Sequence, residues 1–454
     1  MEVLHTHCCG LDIHKRTVVA CLVTPGAAGP LTKTLRTFGT MTTELLQLAD
    51  WLAAAGCTPV AMEATGVYWQ PIWNLLEDRF SLLLANARHI KAVPGRKTDV
   101  RDAEWIADLL RHGLLQGSVV PPRPQRELRE LTRYRTAVLG ERTAEVNRLQ
   151  KTLEGANIKL AAVASDPLGK SGRAMLEALI AGTQSPAAMA ELAKGRMRGK
   201  RPQLAEALTG SFTAHQRFLV ARQLAHIDHL DVLVGEISDA ITQRLRRADD
   251  AAVAPAATGT TGAAVAPVDA AAPGPPLTAR VPEAATVVPR PHAAAIARLD
   301  TIPGVGQRTA EILVAELGLD LRHFPTAGHL ASWAGMCPGN EESAGKRHSG
   351  RTRKGNHALR TALVEAAQAA GRTKQTYLGA QFRRLAARRG AKRAAVAVGH
   401  TILVIVYQLL TDGTVYHDLG PQYFDGRERQ QVERRLVRRL EALGNTVTLA
   451  PTAA

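Results

Sequence analysis

Over the first 115 residues, short β-branched and apolar runs alternate with stretches whose apolar residues recur every three or four positions. That alternation builds a sheet flanked by helices. It predicts strands over 7–12, 17–23, 33–38, 59–63 and 81–85 and helices over 42–55, 69–78 and 99–112, so the chain opens as a hairpin followed by βα units. From 121 to 247 only helical spacing survives. Val220, Leu224, Ile227, Leu230, Val234, Ile237, Ile241 and Leu245 follow steps of three and four, as a coiled-coil seam requires. The preceding stretch, 125–153, has a weaker seam because Arg135, Arg142 and Glu145 occupy positions that should be apolar. It is either the antiparallel partner of the seam helix or a carrier of arginines to nucleic acid. Residues 251–291 are rich in Ala, Pro, Gly and Thr and lack large apolar side chains, the composition of a flexible linker. Helical spacing returns over 293–410, and a basic tail covers 427–443. The apolar run 394–410 is broken by Gly399, His400, Thr401 and Gln408. It falls short of the about 20 residues of a membrane span and predicts a buried helix. The expected divisions are 1–118, an α/β domain; 119–249, a helical coiled-coil connector; 250–292, the linker; 293–425, a mostly helical domain; and 426–454, the tail.

At 454 residues several units are expected, and a net charge of +16 on a 45% hydrophobic background points to a polyanionic partner. The cysteines Cys8, Cys9, Cys21, Cys57 and Cys337 form no CxxC pair, which argues against a zinc ribbon or a disulfide scaffold and fits a reducing cytoplasm. No basic-then-apolar leader is apparent at the start.

Acidic residues mark the predicted strand ends. Asp12 closes the first strand in GLDIHK, and Glu63 closes a later one in MEATG. Asp99 and Asp102 open a helix in KTDVRDAE, where a spacing of three puts both on one face. Two carboxylates 4 Å apart repel by about 4 kcal/mol at an effective dielectric near 20, so four together require a counter-charge, most naturally Mg²⁺. Singly, each acid could start a turn or cap a helix. Jointly, their order resembles the DEDD set of the ribonuclease-H-like, RuvC-like nuclease fold.

A second set follows the linker. IPGVGQRTA, with Gly304 and Gly306, has the form of a helix-hairpin-helix turn whose amides approach a DNA phosphate, although such a turn also simply joins helices. A Gly-rich basic loop then leads into a helix near residue 358. It carries Lys346, Arg347, Arg351, Arg353 and Lys354, and from Ser343 to Arg393 there are 14 Lys or Arg against a single acid, Glu365. Such asymmetry is a phosphate-binding surface. The serines in the loop suit turn formation or phosphate contact as readily as nucleophilic attack.

The combination of GLDIHK, MEATGVYW, KTDVRDAEWIADLL, IPGVGQRTA and AGMCPGNEESAGKRHSGRTRKGN resembles the insertion-sequence 110 family of transposases, the bridge-RNA-guided recombinases. It covers about 5–115 and 295–420. The resemblance implies a DEDD set of Asp12, Glu63, Asp99 and Asp102 holding Mg²⁺ and a serine nucleophile matched by Ser343, with Ala344 standing where the family often has glycine. It further implies donor and target DNA, a structured guide RNA, a dimer or tetramer with a composite active centre, a dimer contact through the 220–245 seam, and action in the cytoplasm with no membrane. Two alternatives remain at this level: a RuvC-like nuclease that uses metal-activated water, and a non-catalytic nucleic-acid-binding protein.

Overall fold

The computed structural model describes residues 2–26, 29–64, 66–86, 90, 102–253, 292–339, 341–343, 346–349, 352–427 and 429–448. The predicted linker therefore falls almost wholly outside them. The chain forms two compact units, Met1–Arg123 and Pro124–Ala454.

In the first unit β1 (Cys8–Ile13), β2 (Thr17–Gly26), β3 (Gly29–Gly39), β4 (Pro59–Glu63), β5 (Ser81–Ala85) and β6 (Gly117–Ser118) form one sheet in the order β3-β2-β1-β4-β5-β6. β1 is antiparallel to β2 and parallel to β4, and β4 is parallel to β5. The two-residue β6 carries no apolar run and is not foreseen by the sequence pattern. Both sheet faces are covered, which is why β1 and β2 read as nearly continuous apolar runs. Cys9, Leu11, Ile13, Val18 and Leu22 pack with helices α1 (Thr42–Ala54) and α2 (Trp69–Leu76). Cys8, Cys21, Val23 and Ala61 pack with α3 (Asp102–Arg111).

The described residues of the second unit are helical apart from one hairpin. Its longest members, α4 (Arg123–Gly155) and α6 (Ala214–Val253), lie antiparallel: Glu127 pairs with Arg244, Arg142 with Asp231 and Glu145 with His226. Between them in sequence, α5 (Lys170–Ala181) and shorter helices build a core that takes Val220, Leu224 and Ile227 of α6. Leu230, Val234, Ile237, Ile241 and Leu245 enter a second core with α7 (His292–Asp300), α8 (Gln307–Leu317), α9 (Ala327–Trp333), α10 (His357–Gly371), α11 (Tyr377–Arg389) and α12 (Ala391–Asp412). The seam is thus consumed within the chain, because both cores need its apolar stripe. It is not left open for a second copy, contrary to the expected dimer contact. At 22 residues α12 is long and apolar enough to cross a membrane, but Val398, Ile402, Leu403, Val406 and Leu409 sit in the core. The basic tail forms α13 (Arg429–Glu441).

Candidate functional site

The register of β1 with β4 sets Gly10 beside Ala61 and Leu11 beside Met62, so its continuation brings Asp12 beside Glu63. Alternation decides which way they face. Cys8 and Ala61 belong to the α3-side core, and Gly10, Asp12 and Glu63 follow them at steps of two. Gly10 explains how closely α3 approaches: a Cβ there would lie 2.3 Å from the Ala103 carbonyl oxygen and 2.4 Å from the Ala107 nitrogen. The Cys8 thiol donates to the Ala107 carbonyl at 3.6 Å, and the Leu4 amide donates to Arg111 at 2.9 Å. Moving up β1 therefore means moving down α3, and Asp12 comes toward the helix start at Asp102. Asp12, Glu63 and Asp102 share one face at the carboxyl ends of parallel strands, where ligands of open α/β sheets bind. The positive end of the α3 dipole moderates their mutual repulsion. His14 Nε2 stands 3.1 Å from Asp12 Oδ2.

Asp99 lies outside the described residues. Among the described residues no three His, Cys, Asp or Glu side chains converge closely enough to hold a metal ion. The acids share a rim without closing into a cluster. Their oxygen-only donor chemistry suits a hard divalent cation.

In the second unit the expected Gly-rich loop is in part a hairpin. β7 (Glu341–Ser343) is antiparallel to β8 (Lys346–Ser349), with Glu342 opposite Arg347 and Ser343 opposite Lys346. The polar composition of the two strands, EES and KRHS, conceals them from the hydrophobic pattern. Ser343 is the last residue before the turn, and a bridge between Pro338 and Thr352 closes the base. Arg351 is outside the described residues, whereas Arg353 and Lys354 are exposed. Gly304 has φ +89°, and a Cβ there would meet the Ala366 carbonyl oxygen at 2.3 Å. Its absent side chain is explained by close packing against α10, a role separate from the phosphate contact expected of the turn. Gly306, the N-cap of α8, has open space around it and keeps that possibility.

The sequence pattern missed an ionic network joining α4, α8 and the start of α10. Glu316 is fully buried and accepts from Arg133 Nε at 2.7 Å, from Arg133 Nη2 at 2.9 Å and from Asn356 Nδ2 at 2.6 Å. The Asn356 Oδ1 caps α10 by accepting from the Leu359 amide at 3.1 Å. Arg129 donates to the Ala315 carbonyl and adjoins Glu316. Burial pulls the Arg129 guanidinium below its ordinary range against the pull of Glu316, while hydrogen bonding to Glu316 raises Arg133. Further along the same two helices, Arg135 of α4 and Glu311 of α8 form a buried pair at 2.7 Å. The available signals were Arg135 breaking a seam and two glutamates, Glu311 and Glu316, in the otherwise apolar run EILVAEL.

Two family models match the chain. The DEDD transposase model, described as Transposase, covers residues 9–158, and that of the Transposase IS116/IS110/IS902 family covers 296–382. The insertion element IS110 43.6 kDa protein of Streptomyces coelicolor is 34% identical over 127 residues, 27% of this chain and 30% of that protein. The transposase for insertion sequence element IS1111A of Coxiella burnetii is 33% identical over 123 residues, 26% of this chain and 34% of that protein. The chain thus spans about a third of the length of these relatives.

Proposed function

The chain belongs to the IS110 family of transposases, and from that premise we propose that it is a DNA recombinase that cuts and rejoins strands through Ser343, aided by a divalent metal held at Asp12, Glu63, Asp99 and Asp102. The observation that carries this reading is the common rim of Asp12, Glu63 and Asp102, three acids from distant segments set on one face. The strand order and that rim favour a ribonuclease-H-like first unit. Mg²⁺ bound there would polarise a scissile phosphate and ease deprotonation of an attacking hydroxyl. The Ser343 Oγ–phosphorus bond forms as the bridging phosphorus–oxygen bond breaks; the serine proton leaves to solvent, and the departing sugar oxygen takes one up. Attack on that phosphoserine by the hydroxyl of a new strand reverses the step and conserves the bond energy. Lys346, Arg347, Arg351, Arg353, Lys354 and the Gly306 amide hold donor and target phosphates and the backbone of a structured guide RNA. With the α6 seam buried, contacts in a dimer or tetramer fall on other surfaces.

The test is a Mg²⁺-dependent strand-cleavage reaction on element-end DNA with the guide RNA, stopped in denaturant. A covalent protein–DNA adduct is expected from the wild type, none from Ser343→Ala, and no cleavage from Asp12→Asn or Glu63→Gln. Free ends from an active Ser343→Ala protein would instead establish hydrolysis by water. Cleavage indifferent to both acids would remove the metal role.

A further inference from the structure

The second unit contains a cleft of about 800 Å³, within the roughly 300–1,000 Å³ of sites that enclose small ligands. Trp333 at the end of α9 lines it, with Ile312 of α8 and Thr361, Ala362 and Glu365 along one face of α10; Arg133 of α4 closes the other side. Trp333 rests on Phe324, with ring centroids 5.3 Å apart, yet remains 40% exposed. An aromatic ring left this open beside basic residues is a stacking platform for a nucleobase. Phosphate suits the cleft poorly. The guanidinium of Arg133 is already spent on Glu316, and Glu365 adds a negative charge that repels phosphate.

Glu365 is the only acid between Ser343 and Arg393, against 14 Lys or Arg. Among the described residues it forms no ion pair and no hydrogen bond, although cations surround it in sequence. A carboxylate so placed accepts from a base edge that presents donors. Guanine offers N1–H and N2–H side by side, matching the two carboxylate oxygens. Adenine and cytosine offer one amino group, while thymine and uracil flank their single N–H with two repelling carbonyls.

We infer that this cleft captures an unpaired guanine of a bound strand, stacked on Trp333 and held at its Watson–Crick edge by Glu365. This extends the nucleic-acid reading above and rests on it. The guanine can belong to DNA or to RNA, and the two are separated by testing both.

The experiment is fluorescence anisotropy of the full chain with short labelled oligothymidylate, the same strand with one central guanine, the same with inosine, and the oligouridylate counterparts. The central guanine should tighten binding about tenfold, the low end of a good bidentate base contact. Inosine, lacking the N2 amine, should fall between. Glu365→Gln should erase the preference while leaving oligothymidylate binding at least as tight as in the wild type. Trp333→Ala should weaken guanine binding about tenfold, and Trp333→Phe should recover most of it. The arm that shows the preference, DNA or RNA, names the source. Equal affinity for guanine and pyrimidine strands in both arms, or a preference that survives Glu365→Gln, overturns the pocket alone. Failure to bind any strand overturns the nucleic-acid reading beneath it.

Discussion

Gly10→Ala is the sharpest probe of how the acids are assembled. The added carbon would lie 2.3 Å from the Ala103 carbonyl oxygen and 2.4 Å from the Ala107 nitrogen, where ordinary contact begins at 3.4 Å. Both are backbone atoms of one helix, so no side-chain rotation relieves the clash and α3 must lift off β1 by about 1 Å. Overpacking of this kind costs about 1–3 kcal/mol. In a unit of this size each kcal/mol lowers Tm by roughly 3–5 °C, so a fall of about 3–15 °C is expected in the transition of the first unit. Because Asp12 and Asp102 are carried by the two elements forced apart, cleavage should fall further than stability alone explains. A misplacement near 1 Å costs about a hundredfold in rate. Calorimetry and a cleavage assay run below the lowered transition separate the two effects. If Gly10→Ala melts within 1 °C of the wild type and cuts at its rate, the close packing of α3 on β1 and the placement of the acids derived from it are both wrong.

Other outcomes follow from the same structure. Gly140→Ala and Gly235→Ala, mid-helix with open space at both positions, should each stabilise the second unit by about 0.5–1 kcal/mol in urea melts. Glu316→Ala removes the buried acceptor of the mostly buried Arg129 and of the capping Asn356, while the half-exposed Arg133 can turn to solvent, and should cost about 1–3 kcal/mol by the same measurement, more than loss of an exposed ion pair. Burial raises the Cys8 thiol to about 11 and those of Cys21 and Cys57 to about 12, so at pH 8 iodoacetamide should label the half-exposed Cys337 and reach the others only after unfolding. Burial acts to raise Asp249, but hydrogen bonds from the His292 and Ala293 amides and from the His292 ring outweigh it and hold the carboxyl below its ordinary value. Its contribution is therefore complete above the unfolded pKa of about 3.9 and lost as pH falls through the folded value. A stability titration downward from pH 5 should be shallower in Asp249→Asn.

The first unit was largely legible because its elements are set by local pattern. β4 and β5 coincide with the predicted runs, since apolar residues there fill both sheet faces. Asp12 and Glu63 could be singled out as strand-end acids, but their adjacency is a matter of register between segments 51 residues apart in sequence. The hairpin around Ser343 was hidden because its short strands, EES and KRHS, show no apolar alternation. The Glu316 network was equally hidden: its partners lie 183 and 40 residues away along the chain. A charged residue on a predicted core position is a sign that a distant partner exists, not a statement of which one.

α6 ends at Val253 and α7 begins at His292, yet the Asp249 carboxylate binds the first two amides of α7. The described ends on either side of residues 254–291 thus lie together, joined by the Asp249 side chain. A detour tied off at its root can be trimmed to a few residues, or exchanged for a guest domain whose own termini are close together, without disturbing the scaffold that carries it. In this chain it marks a natural port for tethering cargo.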